Sequence, residues 1–269
     1  MLCAVACRGG MPPPAPGTVV VALESAPAVL DPRYTTDANS SLVADLVTRG
    51  LTRMNERAEP VPDLADAWQQ PSPLEYRFTL RPDATFSDGA PVTAADVVAT
   101  YRSVLDPALR SPKREAFAPI TDVVAVDPRT VVIRVRATTA SFLETTNLGI
   151  LPAALADRGP LPPDGVVGAG PFRVAATLPD GGVELAASET AMDGAPSIAR
   201  VRFRVIPDGT VRALELASGT VHVVQNALEP DLLRWLARRD GLELVVSPGT
   251  TFQYLGVNFR DPRLADRRV

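Results

Sequence analysis

Few side chains here have the types and spacing that catalysis requires. The 269 residues hold one histidine, His222, and two cysteines, Cys3 and Cys7, both at the extreme N-terminus. A Ser–His or Cys–His nucleophile needs a base within reach and a third group to orient it. His222 lies in a strand-like alternation over residues 221–224 and reads as a surface or satisfied strand residue. The same scarcity excludes His/Cys metal clusters. Carboxylates are plentiful, and a carboxylate pair can run glycoside hydrolysis. Yet Asp63 and Asp66 lie one helical turn apart and Asp83 and Asp88 flank a turn, so caps, turns and solvated faces explain them better. Gly168-Ala169-Gly170 is a G-x-G, but Pro171 follows and no helix opens there to receive a phosphate. The chemistry on offer is binding.

Composition narrows the partner. A formal charge of −4 with scattered Arg and Lys supplies no basic face for nucleic acid. A hydrophobic content of 46% suffices for a real core, and no stretch reaches the roughly 18 apolar residues of a membrane span. The 27 prolines, about twice the usual share, fall at strand ends and turns and suit a loop-rich α/β protein.

The elements follow from periodicity and punctuation. Tyr76, Phe78 and Leu80 alternate with Arg77, Thr79 and Arg81, the pattern of a half-buried strand over 74–81 that Pro82 ends. Asp88-Gly89 is a tight turn, and Thr93 with Asp96 forms a capping-box-like pair ahead of an apolar helical stripe, Val97, Val98, Tyr101, Val104 and Leu105. A strand is predicted at 18–24, then a helix capped by Ser40 or Ser41 with Leu42, Val43, Leu46 and Val47 on one face. Hairpins are predicted at 122–136 and 172–188, and short helices at 141–148 and 151–157. A strand over 200–206 precedes a helix capped by Asp208 and closed by Gly219. A strand at 221–224, a helix at 231–239 and strands at 242–247 and 252–259 complete the series.

The wording of residues 80–97 is more restrictive than its periodicity. Leu80-Arg81-Pro82-Asp83, Phe86, Asp88-Gly89, Pro91, Thr93-Ala94 and Asp96-Val97 resemble the signature of the family 5 solute-binding proteins, the dipeptide, oligopeptide and nickel receptors of ABC importers. Asp83 stands where that family usually has Gly. Leu30-Asp31-Pro32-Arg33 with Ser40, Ser41 and Gly50-Leu51-Thr52 is similar to the family's first loop and helix. Residues 60–65 with Trp68, Gly168-Ala169-Gly170-Pro171-Phe172, and Tyr254-Leu255-Gly256-Val257-Asn258 follow in the family's order. The resemblance covers residues 18–269.

It implies an α/β fold of the type II periplasmic binding protein kind, a mixed-sheet lobe with an inserted subdomain and no second lobe. Core segments at about 18–45 and 168–258 would enclose an insertion at 46–167. It implies no cofactor, a short peptide or similar small solute as ligand, and ABC permease subunits as partners. Nickel chelates, haem, glutathione and sugars are alternative cargo, and a truncated, non-functional remnant is the alternative to a working receptor. With one wall of the cleft present, weak or no binding is expected, as is self-association through the face bearing residues 251–254.

The same resemblance points to a ligand-lining loop at Thr36, Asp37, Ala38, Asn39 and Ser40. There Asp37 either pairs with a ligand amine or makes an Asx turn or cap. Phe117, Thr251, Phe252 and Tyr254 either border the cleft or fill a sheet core. The stretch 188–193 lacks the aromatic pair that relatives carry. Residues 1–17 read as leader and tether: Ala4-Val5-Ala6-Cys7 resembles a lipobox, which would place the protein outside the cytoplasmic membrane, lipid-anchored through Cys7. Only six residues precede that cysteine, too few for a working signal, so a late-placed start is expected.

Overall fold

A computed structural model describes residues 15–138, 142–226, 228–246, 258, 260, 261, 263 and 264. Cys7, Thr251, Phe252 and Tyr254 lie outside the described residues, as does nearly all of the strand expected over 252–259.

A five-stranded mixed sheet carries the fold, in the order β11 (Val223–Val224), β1 (Thr18–Leu23), β10 (Arg200–Val205), β9 (Val183–Ala187), β8 (Phe172–Thr177). β1 runs parallel to both of its neighbours, β10 and β11, while β9 is antiparallel to β10 and β8. A strand between parallel partners is covered on both faces, which is why β1 reads as an unbroken apolar run rather than an alternation. Its odd positions Val21 and Leu23 pack with Val43 and Val47 of α1 (Ala38–Val47). Its even positions Val20 and Ala22 pack on the opposite face with Ile206, Val221 and Leu216, the last from α6 (Gly209–Ser218).

A second sheet is purely antiparallel, β4 (Ala65–Ser72), β5 (Glu75–Leu80), β7 (Thr130–Val135), β6 (Ile120–Asp127). Tyr76, Phe78 and Leu80 point into its core beneath α2 (Ala94–Leu105), from which Val97, Tyr101 and Val104 descend. Pro82 ends β5 as expected, and Gly89 closes the following turn at φ +87°. The Asp96 carboxylate accepts from the Thr93 N–H at 2.8 Å, so the shorter Asp still completes a cap. Its other oxygen accepts from Ala153 N–H at 2.8 Å, fastening α5 (Ala153–Ala156) beside α2. Asp83 keeps a negative φ, so the position imposes no need for Gly, and its carboxylate pairs with Arg81 at 3.1 Å.

Three expectations are corrected. The first helix is capped by Asp37, whose side chain accepts the Ser40 N–H at 2.8 Å, and not by Ser40 or Ser41. Ser40 is buried because its Oγ accepts the backbone N–H groups of Ala28 and Val29. Residues 242–246 form no strand, because no described neighbour pairs with them. The helix expected at 231–239 is α7 (Pro230–Leu236), started by Pro230 in its first turn. Periodicity also overlooked the short hairpin of β2 (Thr52–Met54) and β3 (Pro60–Pro62), three residues a side. The remaining helices, α3 (Arg114–Phe117) and α4 (Phe142–Thr145), are single turns.

The G-x-G turn has a structural cause. It lies on the carboxyl end of α1, where Gly170 N–H donates to Val47 O at 2.9 Å. A Cβ at Gly168 would meet Val47 O at 2.2 Å, and one at Gly170 would meet Leu46 O at 2.4 Å. Backbone is pressed on backbone, so only glycine fits.

Candidate functional site

β1 is followed by α1, and its parallel neighbour β10 is followed by α6. The two helices cover opposite faces of the sheet. Where successive connections leave a parallel pair in opposite directions, a crevice opens at the carboxyl ends of the strands. Two cavities stand there. One, about 300 Å³, lies on the α1 side and is lined by Glu24, Asn39, Ser41, Asp45 and Gln225 together with apolar Ala22, Leu23, Ala38 and Leu42. The other, about 420 Å³, lies on the α6 side among Pro207, Gly209, Thr210, Arg212, Glu229 and Leu232. Glu24 and Asn226 line both, so the cavities form one groove that bends over the end of β1. Asn226 holds a left-handed backbone, φ +55°, a conformation that Asn tolerates better than bulkier residues.

The loop that leads into α1 is pinned from below. Asp31 and Arg33 are both essentially without solvent exposure, and the guanidinium meets the carboxylate at 2.6 Å. The remaining Arg33 hydrogens go to Ser103 Oγ, Ala156 O and Gly159 O, while Asp31 also accepts the Leu161 N–H. Ser111 Oγ donates to Arg33 O and Tyr34 O–H donates to Leu109 O. Lys113, the only lysine in the chain, donates from Nζ to Thr35 Oγ1 at 2.9 Å. Burial lowers its amine below the ordinary value, with Asp45 and Asp31 partly offsetting.

Two carboxylates of α1 and its cap, one in the groove and one beside it, behave differently. Surrounding protein atoms raise the Asp45 carboxyl although its edge is exposed, and Lys113 partly opposes this. Asp37 feels a raising influence from its partial burial, but the hydrogen bonds from Ser40 win and hold it below the usual range.

Of the five loop residues expected to contact ligand, Ala38 and Asn39 line the groove. Asp37 and Ser40 frame it by capping and by holding the preceding chain, and Thr36 is exposed nearby. Phe117 is not brought to the groove. It is 5% exposed in the core of the antiparallel sheet, edge-on to Tyr101 with ring centroids 5.7 Å apart. The stretch 188–193 is tied to the antiparallel sheet instead of the groove. Asp193 pairs with Arg49 at 2.6 Å and Arg81 at 3.1 Å, and Thr190 Oγ1 donates to Phe86 O. Glu24, Asp45, Gln225 and Asn226, which the sequence does not single out, line the groove as well. The one signal in the sequence is that Glu24 and Gln225 each close an apolar run; that the two runs pair is not written there.

His222 is bound into the sheet, with its Nδ1 accepting the Val20 N–H and its own N–H donating to Val20 O, both at 2.9 Å. Among the described residues no group of three or more His, Cys, Asp or Glu is placed to hold a metal ion. Among them, too, no helix is long and apolar enough to cross a membrane.

Comparison with known proteins gives this arrangement its family. The profile of the bacterial extracellular solute-binding proteins, family 5 Middle, matches residues 59–269. The chain belongs to that family. It is 22% identical over 264 residues to the oligopeptide-binding protein AppA of Bacillus subtilis, covering 94% of this chain and 48% of AppA. It is 27% identical over 256 residues to the probable D,D-dipeptide-binding periplasmic protein DdpA of Escherichia coli, covering 89% and 49%. Among solved structures, NikZ from Campylobacter jejuni in complex with Ni(L-His) superposes with TM-score 0.76 at 26% identity, over 83% of this chain and 46% of NikZ. AppA in complex with a nonapeptide superposes with TM-score 0.79 at 21% identity, over 85% and 47%. The fold is that of the family 5 binding proteins, and the chain spans about half the length of the relatives it matches.

Proposed function

We propose that this family 5 chain is a capture component of an ABC importer, taking a short peptide outside the cytoplasmic membrane and passing it to permease subunits. The observation that carries this reading is the groove at the carboxyl ends of β1 and β11, shared between two cavities at Glu24 and Asn226. Its combined chemistry suits a peptide. Ala22, Leu23, Ala38 and Leu42 offer apolar contact, while Asn39, Ser41, Gln225 and Asn226 offer donors and acceptors for ligand amides. Several relatives bear peptide ligands in their names, including AppA, DdpA and the murein peptide-binding protein MppA of Escherichia coli. In this reading the groove is one wall of the site, and domain closure supplies the other.

The test is calorimetry of the chain with trialanine, before and after Ala38→Trp. Ala38 is exposed at the groove, so the indole fills the space without disturbing a core. Affinity is expected to fall about tenfold or more, the loss of roughly one good set of contacts. Because the groove is one wall of the site the binding is expected to be weak, so millimolar peptide is used. Unchanged affinity in the variant contradicts the placement, and no binding even at millimolar trialanine contradicts the peptide reading.

A further inference from the structure

We propose that the groove selects solutes carrying a cationic amine, with Glu24 and Asp45 as its specificity-determining residues. This deepens the peptide reading and rests on it. The place of the site comes from the strand ends and the helices that leave them; the two carboxylates decide only its charge.

Among the described residues, Glu24 and Asp45 are the only ionisable groups that line the smaller cavity. They reach it from different elements, one from the end of β1 and the other from the middle of α1. The more buried acids elsewhere include several that are matched. Asp31 is held by Arg33, Asp63 by Arg49, Glu184 by Arg200 and Arg202, and Glu215 by Arg204. Glu24 and Asp45 enter no ion pair among the described residues. Two cations stand nearby and keep their charge: Lys113, which donates to Thr35 Oγ1 and partly opposes the raising of Asp45, and Arg212, which donates to Ile206 O and Pro207 O and lines only the second cavity. Glu229 adds a third carboxylate at the far end of the groove.

The neutral groups match the same cargo. Asn39 Nδ2 is spent on Ser25, leaving its carbonyl oxygen as an acceptor. The carbonyls of Gln225 and Asn226 are acceptors as well, and an ammonium is three donors with no acceptor. On the α1 side, where the described lining carries acids and no cation, the negative charge concentrates the opposite sign and repels its own.

The experiment is a heteronuclear NMR titration of the full chain with Ala-Lys-Ala, Ala-Ala-Ala and Ala-Glu-Ala, repeated on the Glu24→Gln/Asp45→Asn double variant. Both side chains are exposed and outside any ion pair, so a well-dispersed variant spectrum is expected. Ala-Lys-Ala should bind about tenfold or more tightly than Ala-Glu-Ala, since the first peptide makes a charge-assisted hydrogen bond where the second faces a like charge. In the double variant the two should converge. Equal affinities in the unaltered chain, or a gap that survives the double substitution, overturns the selectivity and leaves the peptide reading standing. Binding of none of the three overturns both.

Discussion

Arg33 and Asp31 form a closed pair two residues apart, 2.6 Å between charged atoms, with neither side chain open to water. The pair holds the chain that leads into the groove against α2, α5 and the loop before Leu161. Breaking a buried pair by removing one partner leaves an uncompensated charge. Arg33→Met is therefore expected to cost about 3–5 kcal/mol, and the Asp31→Asn/Arg33→Met double variant less than the two single changes summed. Chemical denaturation of the three variants checks this, and strict additivity would count against it.

The glycine turn makes a sharper prediction. Gly170→Ala would set a methyl 2.4 Å from the Leu46 carbonyl oxygen, in a place where neither backbone can retreat without breaking the Gly170–Val47 hydrogen bond. A loss of about 2–4 kcal/mol is expected from that overpacking. Gly159→Ala is the control, since an added Cβ there meets nothing within 4 Å. Thermal unfolding should separate the two plainly.

Tyr101 buries its ring in the antiparallel core, and its hydroxyl is the one fully buried side-chain polar atom among the described residues with no hydrogen-bond partner. Burial pushes its phenol far above the ordinary value. Tyr101→Phe removes the unsatisfied group and keeps the edge contact with Phe117. A gain of about 1 kcal/mol is expected. A loss would show that the hydroxyl has a role the packing does not reveal.

Acid should weaken the mixed-sheet region early. Partial burial raises Glu184, but hydrogen bonds from Arg202 and Arg200 prevail and hold it below its ordinary 4.5. The Arg204 hydrogen bond is the main cause holding Glu215 below 4.5. A carboxylate depressed in the folded state adds stability above its unfolded value, and that stability drains as pH falls through the folded value. The loss should therefore begin near pH 4.5 and grow below it. Asp63, raised by its own burial, works in the opposite direction and softens the slope. Glu184→Gln should flatten the decline, measured by urea midpoint against pH.

How much of this was legible follows from which forces act locally. The β5 alternation, the Asp88-Gly89 turn, the Thr93–Asp96 cap and Gly219 at φ +76° are contracts between near neighbours, and sequence states them outright. Asp37 could be read two ways, and the cap prevailed because Ser40 N–H lies three residues on and needs an acceptor. Phe117 was ambiguous because an aromatic is equally at home in a cleft or a core, and only the position of Tyr101 decides. The groove itself was hidden. Glu24 and Gln225 are roughly two hundred positions apart, and only the parallel register Val21↔Val223 sets them side by side.

The account stands on the groove, and amide chemical-shift mapping with trialanine tests it most directly. Perturbations clustered at Glu24, Asn39, Ser41 and Asn226 are the predicted result. Perturbations confined to the antiparallel sheet around Phe117, or none at millimolar peptide, would contradict it.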